Sequence, residues 1–251
     1  MNSLVKLLIP VLVAGTIVSC ASPSVVQERG DIRESSISAD SLYNLVFKDK
    51  DTLMRVSGKG RAIVSQKGGS DRVTVEFFSD QSSSLLNIRS GIGIEGGQVL
   101  VKDDSVLVYN KVDKYARISP LSEGGTGSDI GSLASVNIID LLNYSIEPGE
   151  TTNVLEDESF YIGVLGDKGR YFVEKKTGLI REVEWKRDSP YRQIIYEGYA
   201  SINGFELPRK ITILSADGNS QVVFLVQNLI INNSLPELTI NIPDNIPVTR
   251  I

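Results

Sequence analysis

The stretch Leu53–Gln66, with the sequence LMRVSGKGRAIVSQ, decides the fold class. Side chains of a β-strand point alternately to its two faces. One face of this strand would carry the small or branched apolar residues Val56, Gly58, Gly60, Ala62 and Val64. The other face would carry Arg55, Ser57, Lys59, Arg61 and Ser65. Because glycine inside a strand marks strong bending or the close approach of another group, the pattern predicts a curved strand with an apolar inner face.

Similar segments follow along the chain, separated by turn signals such as Gly68-Gly69 and Asp217-Gly218-Asn219. Many short strands with tight turns predict a mainly β protein, an antiparallel meander of about eleven strands with one more at Gln221–Ile231. The expected strands lie near Leu53–Gln66, Arg72–Ser79, Ser84–Arg89, Gln98–Lys102, Ser105–Asn110, Tyr115–Ile118, Ser159–Leu165, Arg170–Lys175, Ile180–Lys186, Arg192–Ile202 and Pro208–Leu214.

Two helices are expected within this β-rich chain. The first is a short helix at Ser41–Asp49. The second follows the Gly- and Ser-rich segment Ser122–Ser132, since apolar residues of Leu133–Leu142 recur at steps of three and four after Ser132, the expected N-cap. A helix inserted between two halves of a sheet ordinarily closes one end of a core.

The amino terminus has the organisation of a secretory signal, with Lys6 followed by the apolar run Leu7–Val18. This run is too short to cross a bilayer of roughly 30 Å as a helix. The tetrapeptide Ile17-Val18-Ser19-Cys20 resembles the lipobox of bacterial lipoproteins, in which the cysteine is diacylated and the preceding peptide is removed. An ordinary signal that happens to contain a cysteine is the alternative.

These features predict the domain organisation. Residues 1–19 would be a removed signal peptide, residues 20–40 the lipidated Cys20 with a flexible tether, and residues 41–251 a single β domain. Removing the first 19 of the 251 residues leaves 232, which suffices for one large β domain. Cys20 is the only cysteine, so a covalent acyl anchor there leaves no free thiol.

The composition excludes several kinds of site. The chain has no histidine, which removes serine–histidine and cysteine–histidine catalysis as well as histidine-based zinc sites. Carboxylate-pair chemistry, Ser–Lys chemistry or no chemistry remain. No other cofactor or metal is predicted. The net charge of −5 argues against a nucleic-acid partner.

The order of several motifs resembles the LolA/LolB-like lipoprotein carriers and receptors, and within them the outer-membrane receptor LolB and a related group of Bacteroidota-type lipoproteins. The resemblance covers most of the chain from Leu53 to Ile231. The motifs that carry it are Ser57–Ala62, Leu86–Gly93, the helix with Asp140-Leu141-Leu142, Tyr196-Glu197-Gly198-Tyr199 and Leu207–Ile211. None of these motifs is specific alone.

The resemblance implies a half-open antiparallel β-barrel of about eleven strands around an apolar cavity, capped by helices. It implies a non-enzymatic protein that binds acyl chains of lipoproteins or of a related amphiphile, receives them from a periplasmic carrier and delivers them to the membrane. The residue after Cys20 is alanine rather than the aspartate that keeps some lipoproteins at the inner membrane. The expected location is therefore the outer membrane, facing the periplasm.

The membrane-inserting turn of the family falls on Ile92, although Gly91 stands where the family has proline and isoleucine where it has leucine. Together with Ile94, this residue lies in the glycine-rich stretch Ser90–Gly97. Exposed aliphatic side chains in a loop indicate contact with a membrane or a partner. The alternative is that both isoleucines lie buried on one face of a strand.

The strand pattern and the resemblance together predict the residues that line the cavity. These are Val56, Ala62, Val64, Val73, Val75, Phe77, Leu141 and Leu142. The alternative is a barrel whose interior is filled by bulky side chains from facing elements, which would suit a structural or adaptor lipoprotein. An unusual carboxylate hydrolase is a third class, for which no pair of carboxylates stands out.

Three other groups of residues are weighed against ordinary structural roles. Glu156-Asp157-Glu158 and Asp103-Asp104 could bind a cation, but both fall at expected turns. Trp185, Tyr196 and Tyr199 could form an aromatic sugar platform, or pack on a strand face. The stripe Arg55, Lys59 and Arg61 could meet lipid headgroups, or form a solvated sheet face.

Overall fold

A computed structural model of the chain describes residues 30–47, 53–121, 136–186, 189 and 191–250. Within them lie two helices, α1 (Ala39–Phe47) and α2 (Ile138–Leu142), and seventeen strands. The strands are β1 (Arg33–Glu34), β2 (Arg55–Gln66), β3 (Gly69–Asp80), β4 (Ser83–Ser90), β5 (Glu95–Lys102), β6 (Ser105–Asn110), β7 (Tyr115–Pro120), β8 (Asn153–Glu156), β9 (Phe160–Val164), β10 (Gly169–Glu174), β11 (Ile180–Trp185), β12 (Tyr191–Glu197), β13 (Ala200–Ile202), β14 (Phe205–Leu207), β15 (Lys210–Ser215), β16 (Gln221–Ile231) and β17 (Val248–Arg250).

Fifteen of these strands form one sheet, in the order β1-β8-β9-β10-β11-β12-β15-β16-β2-β3-β4-β5-β6-β7-β17. Neighbouring strands are antiparallel except for β17, which pairs with β7 in parallel. Strands β13 and β14 form a separate hairpin. The sheet is open, because its outermost strands β1 and β17 are not hydrogen-bonded to each other. The predicted mainly β, half-open antiparallel architecture is confirmed, as an open sheet and not a closed barrel.

The central strand β2 joins the two halves of this sheet. It pairs with β3 over all twelve of its residues, and with β16, the last long strand of the chain. Val56, Ala62 and Val64 are buried, whereas Arg55, Lys59 and Arg61 are exposed. The predicted assignment of the inner and outer faces is therefore correct.

Two aromatic rings lie over the glycines of β2. A Cβ atom at Gly58 would stand 2.6 Å from the Phe77 ring, and one at Gly60 would stand 2.7 Å from the Phe224 ring. The two rings come from the flanking strands β3 and β16 and meet edge to face, with centroids 5.8 Å apart. The room left by the small residues is thus occupied by aromatic side chains of neighbouring strands.

Most predicted strands agree with the structure, and β6 and β16 have the predicted bounds. The single strand predicted over Arg192–Ile202 is wrong, because Gly198 has a φ of +63° and separates β12 from β13. Strands β1, β8, β14 and β17 were not predicted. Each has two to four residues, too few to show a recognisable alternation.

Helix α1 begins two residues before the predicted start, after the cap residue Ser38, whose hydroxyl accepts a hydrogen bond from Ser41 N–H at 3.1 Å. Its Leu42 and Val46 are buried against the sheet. No helix in the described ranges is long and apolar enough to cross a membrane. The predicted signal peptide and Cys20 lie outside the described residues, and β1 already falls within the stretch predicted as a tether.

The packing over β2 leads to a stability prediction. Gly58→Ala would place a Cβ atom 2.2 Å from the Asn228 carbonyl oxygen, which belongs to the backbone and cannot rotate away. We expect the free energy of unfolding in urea to fall by about 1–3 kcal/mol, the usual cost of overpacking.

Gly69→Ala is the matched control, since nothing lies within 4 Å of its added Cβ. This variant should change the free energy of unfolding by less than about 1 kcal/mol. Equal effects of the two substitutions would contradict the proposed close approach at Gly58.

Candidate functional site

The predicted lining residues of β2 and β3 lie on the inner face of the sheet, in one apolar cluster with Leu141 and Leu142 of α2. Seven of them are buried in one continuous apolar cluster, and the eighth, Val73, is half-buried against it. The buried seven are Val56, Ala62, Val64, Val75, Phe77, Leu141 and Leu142. Their role in binding a ligand stays a prediction.

Helix α2 is fixed to the sheet through Asn137, its N-cap residue. The Asn137 carboxamide oxygen accepts hydrogen bonds from Ile139 N–H and from the Ser79 hydroxyl, both at 2.8 Å, and its NH₂ group donates to the Asp80 carbonyl at 2.9 Å. The Ser84 hydroxyl accepts from Ile138 N–H at 2.9 Å. A polar network at the β3–β4 turn therefore holds the first turn of a helix whose other side is apolar.

The predicted start of this helix is wrong. Val136 and Asn137 are not helical, and the helix has five residues, Ile138–Leu142. Asn137 is the cap, whereas the expected cap Ser132 lies outside the described residues. Asparagine at this position competes with helix formation because its side chain bonds the backbone N–H two residues ahead, which the apolar periodicity does not reveal.

Of the aromatic residues considered as a sugar platform, Tyr196 is buried, and Trp185 and Tyr199 are half-buried against the apolar cluster. Trp185 meets Tyr144 and Tyr191 with ring centroids 6.4 and 6.3 Å away. The Tyr199 hydroxyl donates to the Ile180 carbonyl, and its ring is covered by Arg181. These side chains pack on the inner face of the sheet, as the alternative interpretation predicted.

Tyr196 differs from the other tyrosines of this group. Only 2% of its surface is exposed, and its hydroxyl has no hydrogen-bond partner within the described residues. Burial raises the pKa of Tyr196 well above its usual value, and nearby Tyr199, Tyr144 and Asp140 add to this effect. The hydroxyl is therefore protonated at neutral pH and able to donate.

Ile92 and Ile94 lie in the loop that joins β4 to β5. The loop is closed by hydrogen bonds from Ser90 N–H to the Ile94 carbonyl at 2.8 Å and from Gly93 N–H to the Ser90 carbonyl at 2.9 Å. Ile92 is 85% exposed and Ile94 58% exposed. The alternative of a buried strand face is wrong for both residues.

A second hairpin tip lies beside this loop. Val112, in the turn between β6 and β7, is 63% exposed. The Lys111 ammonium forms an ion pair with the Glu95 carboxylate at 2.8 Å, and Lys111 N–H donates to the Gly96 carbonyl at 3.0 Å. The two tips are thus joined at the same end of their strands, where Ile92, Ile94 and Val112 are exposed. The sequence analysis missed Val112, which a short polar turn does not single out.

Glu156 and Asp157 are engaged within the protein, and Asp103-Asp104 lies in a turn. Glu156 forms ion pairs with Arg33 at 3.0 Å and with Lys175 at 3.1 Å, and the Lys175 hydrogen bond holds the pKa of Glu156 below its usual value. Asp157 accepts two backbone N–H groups at 2.7 Å, and Asp103 is a turn residue. In the part of the chain that the structure describes, no group of three or more acidic, cysteine or histidine side chains is placed to bind a metal ion.

The Asn137 network leads to the next prediction. Asn137→Ala removes the cap of α2 and its bonds to Ser79 and Asp80. We expect a loss of about 1–3 kcal/mol in the free energy of unfolding, measured in urea.

Asn143→Ala at the other end of α2 serves as a control, because the C-cap bond to the Ile139 carbonyl uses the Asn143 backbone N–H and survives the substitution. A loss at Asn143 as large as that at Asn137 would contradict the anchoring role of the Asn137 side chain.

Comparisons with known proteins agree with this architecture. No protein-family model matches the sequence, and no curated protein matches it. Among solved structures, a LolA superfamily protein from Nitrosomonas europaea superposes with a TM-score of 0.55 at 14% identity, covering 81% of this chain and 98% of that chain.

Two further solved structures have the same arrangement. A DUF1329 family protein from Desulfovibrio piger gives a TM-score of 0.53 at 16% identity, covering 79% of this chain and 95% of the other. A domain assigned as an outer membrane lipoprotein-sorting protein, from Vibrio parahaemolyticus, gives 0.53 at 11% identity, covering 78% and 93%. The chain therefore has the LolA/LolB-like fold that its motifs predicted.

Proposed function

We propose that this protein is a membrane-anchored lipoprotein that binds acyl chains of lipoproteins, or of a related amphiphile, on the inner face of its sheet and delivers them to the membrane. The role is binding and transfer and involves no catalysis. The observation that carries the proposal is the exposed pair Ile92 and Ile94, on a loop at one end of the strands of a LolA-like sheet.

The inner face of the sheet provides the apolar surface that an acyl chain would contact. Aliphatic and aromatic side chains of β2, β3 and β16 form its apolar surface, and α2 packs on β2 and β3. Burying an acyl chain between the sheet and α2 would be favourable by about 25 cal/mol per Å² of apolar surface removed from water. Transfer then requires only that the bilayer bind the chain more tightly than the protein does.

The β4–β5 loop supplies the contact with the bilayer. An isoleucine exposed to 85% gains little from the folded protein, but burying it in a bilayer would contribute about 1.5–3 kcal/mol. Val112 on the neighbouring tip would add to the same contact. Lys111 and Glu95 pair across the two tips, which would bring both tips to the membrane together.

Cys20 would provide the permanent attachment, with the domain on the periplasmic side of the outer membrane and a periplasmic carrier as donor. Two or three acyl chains anchor a protein stably, whereas one gives only reversible binding. Permanent attachment distinguishes a receptor from a diffusing carrier.

The anchor is tested by metabolic labelling with palmitate in a bacterial host. We expect the full chain to incorporate label and Cys20→Ser to incorporate none, because the chain has no other cysteine. Ser19→Ala, which keeps a small residue before the cysteine, should retain the label. Labelling of Cys20→Ser would exclude this anchor.

A non-catalytic adaptor lipoprotein is the second candidate, and one observation favours it. The Phe77 and Phe224 rings occupy the room over Gly58 and Gly60, so part of the inner face is already filled. An adaptor would bind another envelope protein and no acyl chain. Failure of the wild-type protein to bind a lipopeptide would favour this candidate.

The delivery step is tested by Ile92→Glu in the full-length protein. The variant should bind a fluorescent lipopeptide as tightly as the wild type does, because the loop lies outside the inner face. Its transfer of that lipopeptide to liposomes should be slower by about tenfold or more, since a charged loop tip does not enter the bilayer.

Ile230→Glu is the matched control. Ile230 is also exposed, at 52%, but lies on the outer face of β16, paired with Ser57. This variant should transfer the lipopeptide at the wild-type rate. Unchanged transfer by Ile92→Glu would remove the β4–β5 loop from the membrane contact.

A further inference from the structure

Three arginines lie close together on the outer face of the sheet. Arg61 in β2 pairs with Thr74 in β3, and Thr74 pairs with Arg89 in β4. Arg72 lies two residues before Thr74 in β3, so both side chains point to this face, whereas the side chain of Asp71 points to the other. Arg61, Arg72 and Arg89 are all exposed, and we call them the arginine patch.

The arginine patch borders the proposed membrane contact. Arg89 is the last residue but one of β4, and the β4–β5 loop follows that strand. A Cβ atom at Gly91 would stand 3.5 Å from the Arg72 carbonyl oxygen, so the loop begins against the backbone of Arg72. Ile92, the more exposed of the two loop isoleucines, is the next residue. Cationic and aliphatic side chains therefore share this end of the strands.

Two acidic side chains of the outer face lie beside the patch. Glu95 in β5 is opposite Arg89, but the Glu95 carboxylate forms an ion pair with Lys111 at 2.8 Å. Glu76 in β3 is opposite Lys59 in β2. Among the residues that the structure describes, no carboxylate forms an ion pair with an arginine of the patch. The patch therefore concentrates positive charge on a chain whose net charge is −5.

We propose that the arginine patch binds the phosphate groups of anionic phospholipids when the β4–β5 loop enters the bilayer. This proposal rests on the proposed function and specifies the kind of membrane surface to which the loop is directed. A guanidinium group presents paired N–H donors that match the oxygens of a phosphate. The aliphatic loop would supply insertion, and the patch would supply the preference for anionic lipid.

Insertion of the loop would bring the patch to the depth of the phosphates. The headgroup layer extends about 5–8 Å beyond the hydrocarbon on each side of a bilayer. With Ile92 in the hydrocarbon, Arg72 beside Gly91 would lie in this layer. Three basic side chains at an anionic surface would raise the affinity for the membrane by about tenfold or more, and salt would reduce this gain.

The test measures binding of the full chain to lipid vesicles by co-sedimentation. Every protein carries Cys20→Ser, so that no acyl anchor contributes and the amino-terminal segment is the same in all variants. One set of vesicles is phosphatidylcholine, and the other also contains phosphatidylglycerol. The parent protein should bind the anionic vesicles about tenfold or more tightly than the neutral ones. The triple variant Arg61→Gln, Arg72→Gln and Arg89→Gln should lose this preference.

A second triple variant removes the same charge at the opposite end of the strands. It combines Arg55→Gln, Lys102→Gln and Lys176→Gln, at the start of β2, the end of β5 and the β10–β11 turn. This variant should keep the preference for anionic vesicles. Both triple variants should unfold within a few degrees of the parent protein, because all six side chains are exposed.

Loss of the preference in both triple variants, or in neither, would overturn the assignment of the arginine patch. A patch that instead binds an acidic protein partner would give the second result. If the parent protein bound both sets of vesicles equally, the assignment would fail while the membrane contact of the loop stood. If the parent protein bound neither set, the membrane contact itself, and with it the proposed function, would fail.

Discussion

The close pairing of β2 with β16 is the contact on which the rest of the structure depends. It brings together the first long strand and the last, and so unites strands β3 to β7 with strands β8 to β12 and β15 in one sheet. Glycine permits this approach, because a side chain at Gly58 would collide with the Asn228 carbonyl. The rings of Phe77 and Phe224 then cover the two glycines and supply the apolar surface that glycine, which has no side chain, lacks. The inner face is continuous across the junction for this reason.

Alternation along the sequence predicts the long strands well, because one face of each is buried and the other is wet. Alternation does not predict a strand that forms only because neighbouring strands pair with it. Asn153–Glu156 forms β8 only because β1 and β9 flank it. Gly198 interrupts a stretch whose composition is uniformly strand-like, and the positive φ is visible only in the structure. The start of α2 is set by the bonds of Asn137 to a turn some 57 residues earlier in the chain.

The candidate site also has features that the sequence predicts and features that only the structure shows. The inner face and the exposed loop with Ile92 and Ile94 follow from residue types and spacing, since glycine-flanked aliphatic residues have few places in a folded core. Tyr196 is recognisable from sequence as an aromatic residue on a strand, but its unpaired hydroxyl is visible only in the structure. Whether the space over Gly58 is filled depends on which neighbouring strand places an aromatic ring there. Such properties depend on register between distant segments and leave no local pattern.

The two ends of the described chain lie at the two edges of the large sheet. β1 covers β8, and β17 covers β7 in the parallel direction, aided by a hydrogen bond from Ala116 N–H to the Pro247 carbonyl at 3.0 Å. Exposed sheet edges recruit strands from other polypeptides, and short edge strands that carry charge reduce this tendency. Arg33, Glu34 and Arg250 place charges on these outermost strands. The short, charged edge strands thereby limit aggregation by strand pairing at the sheet edges. The side-chain surfaces of the sheet stay available for recognition.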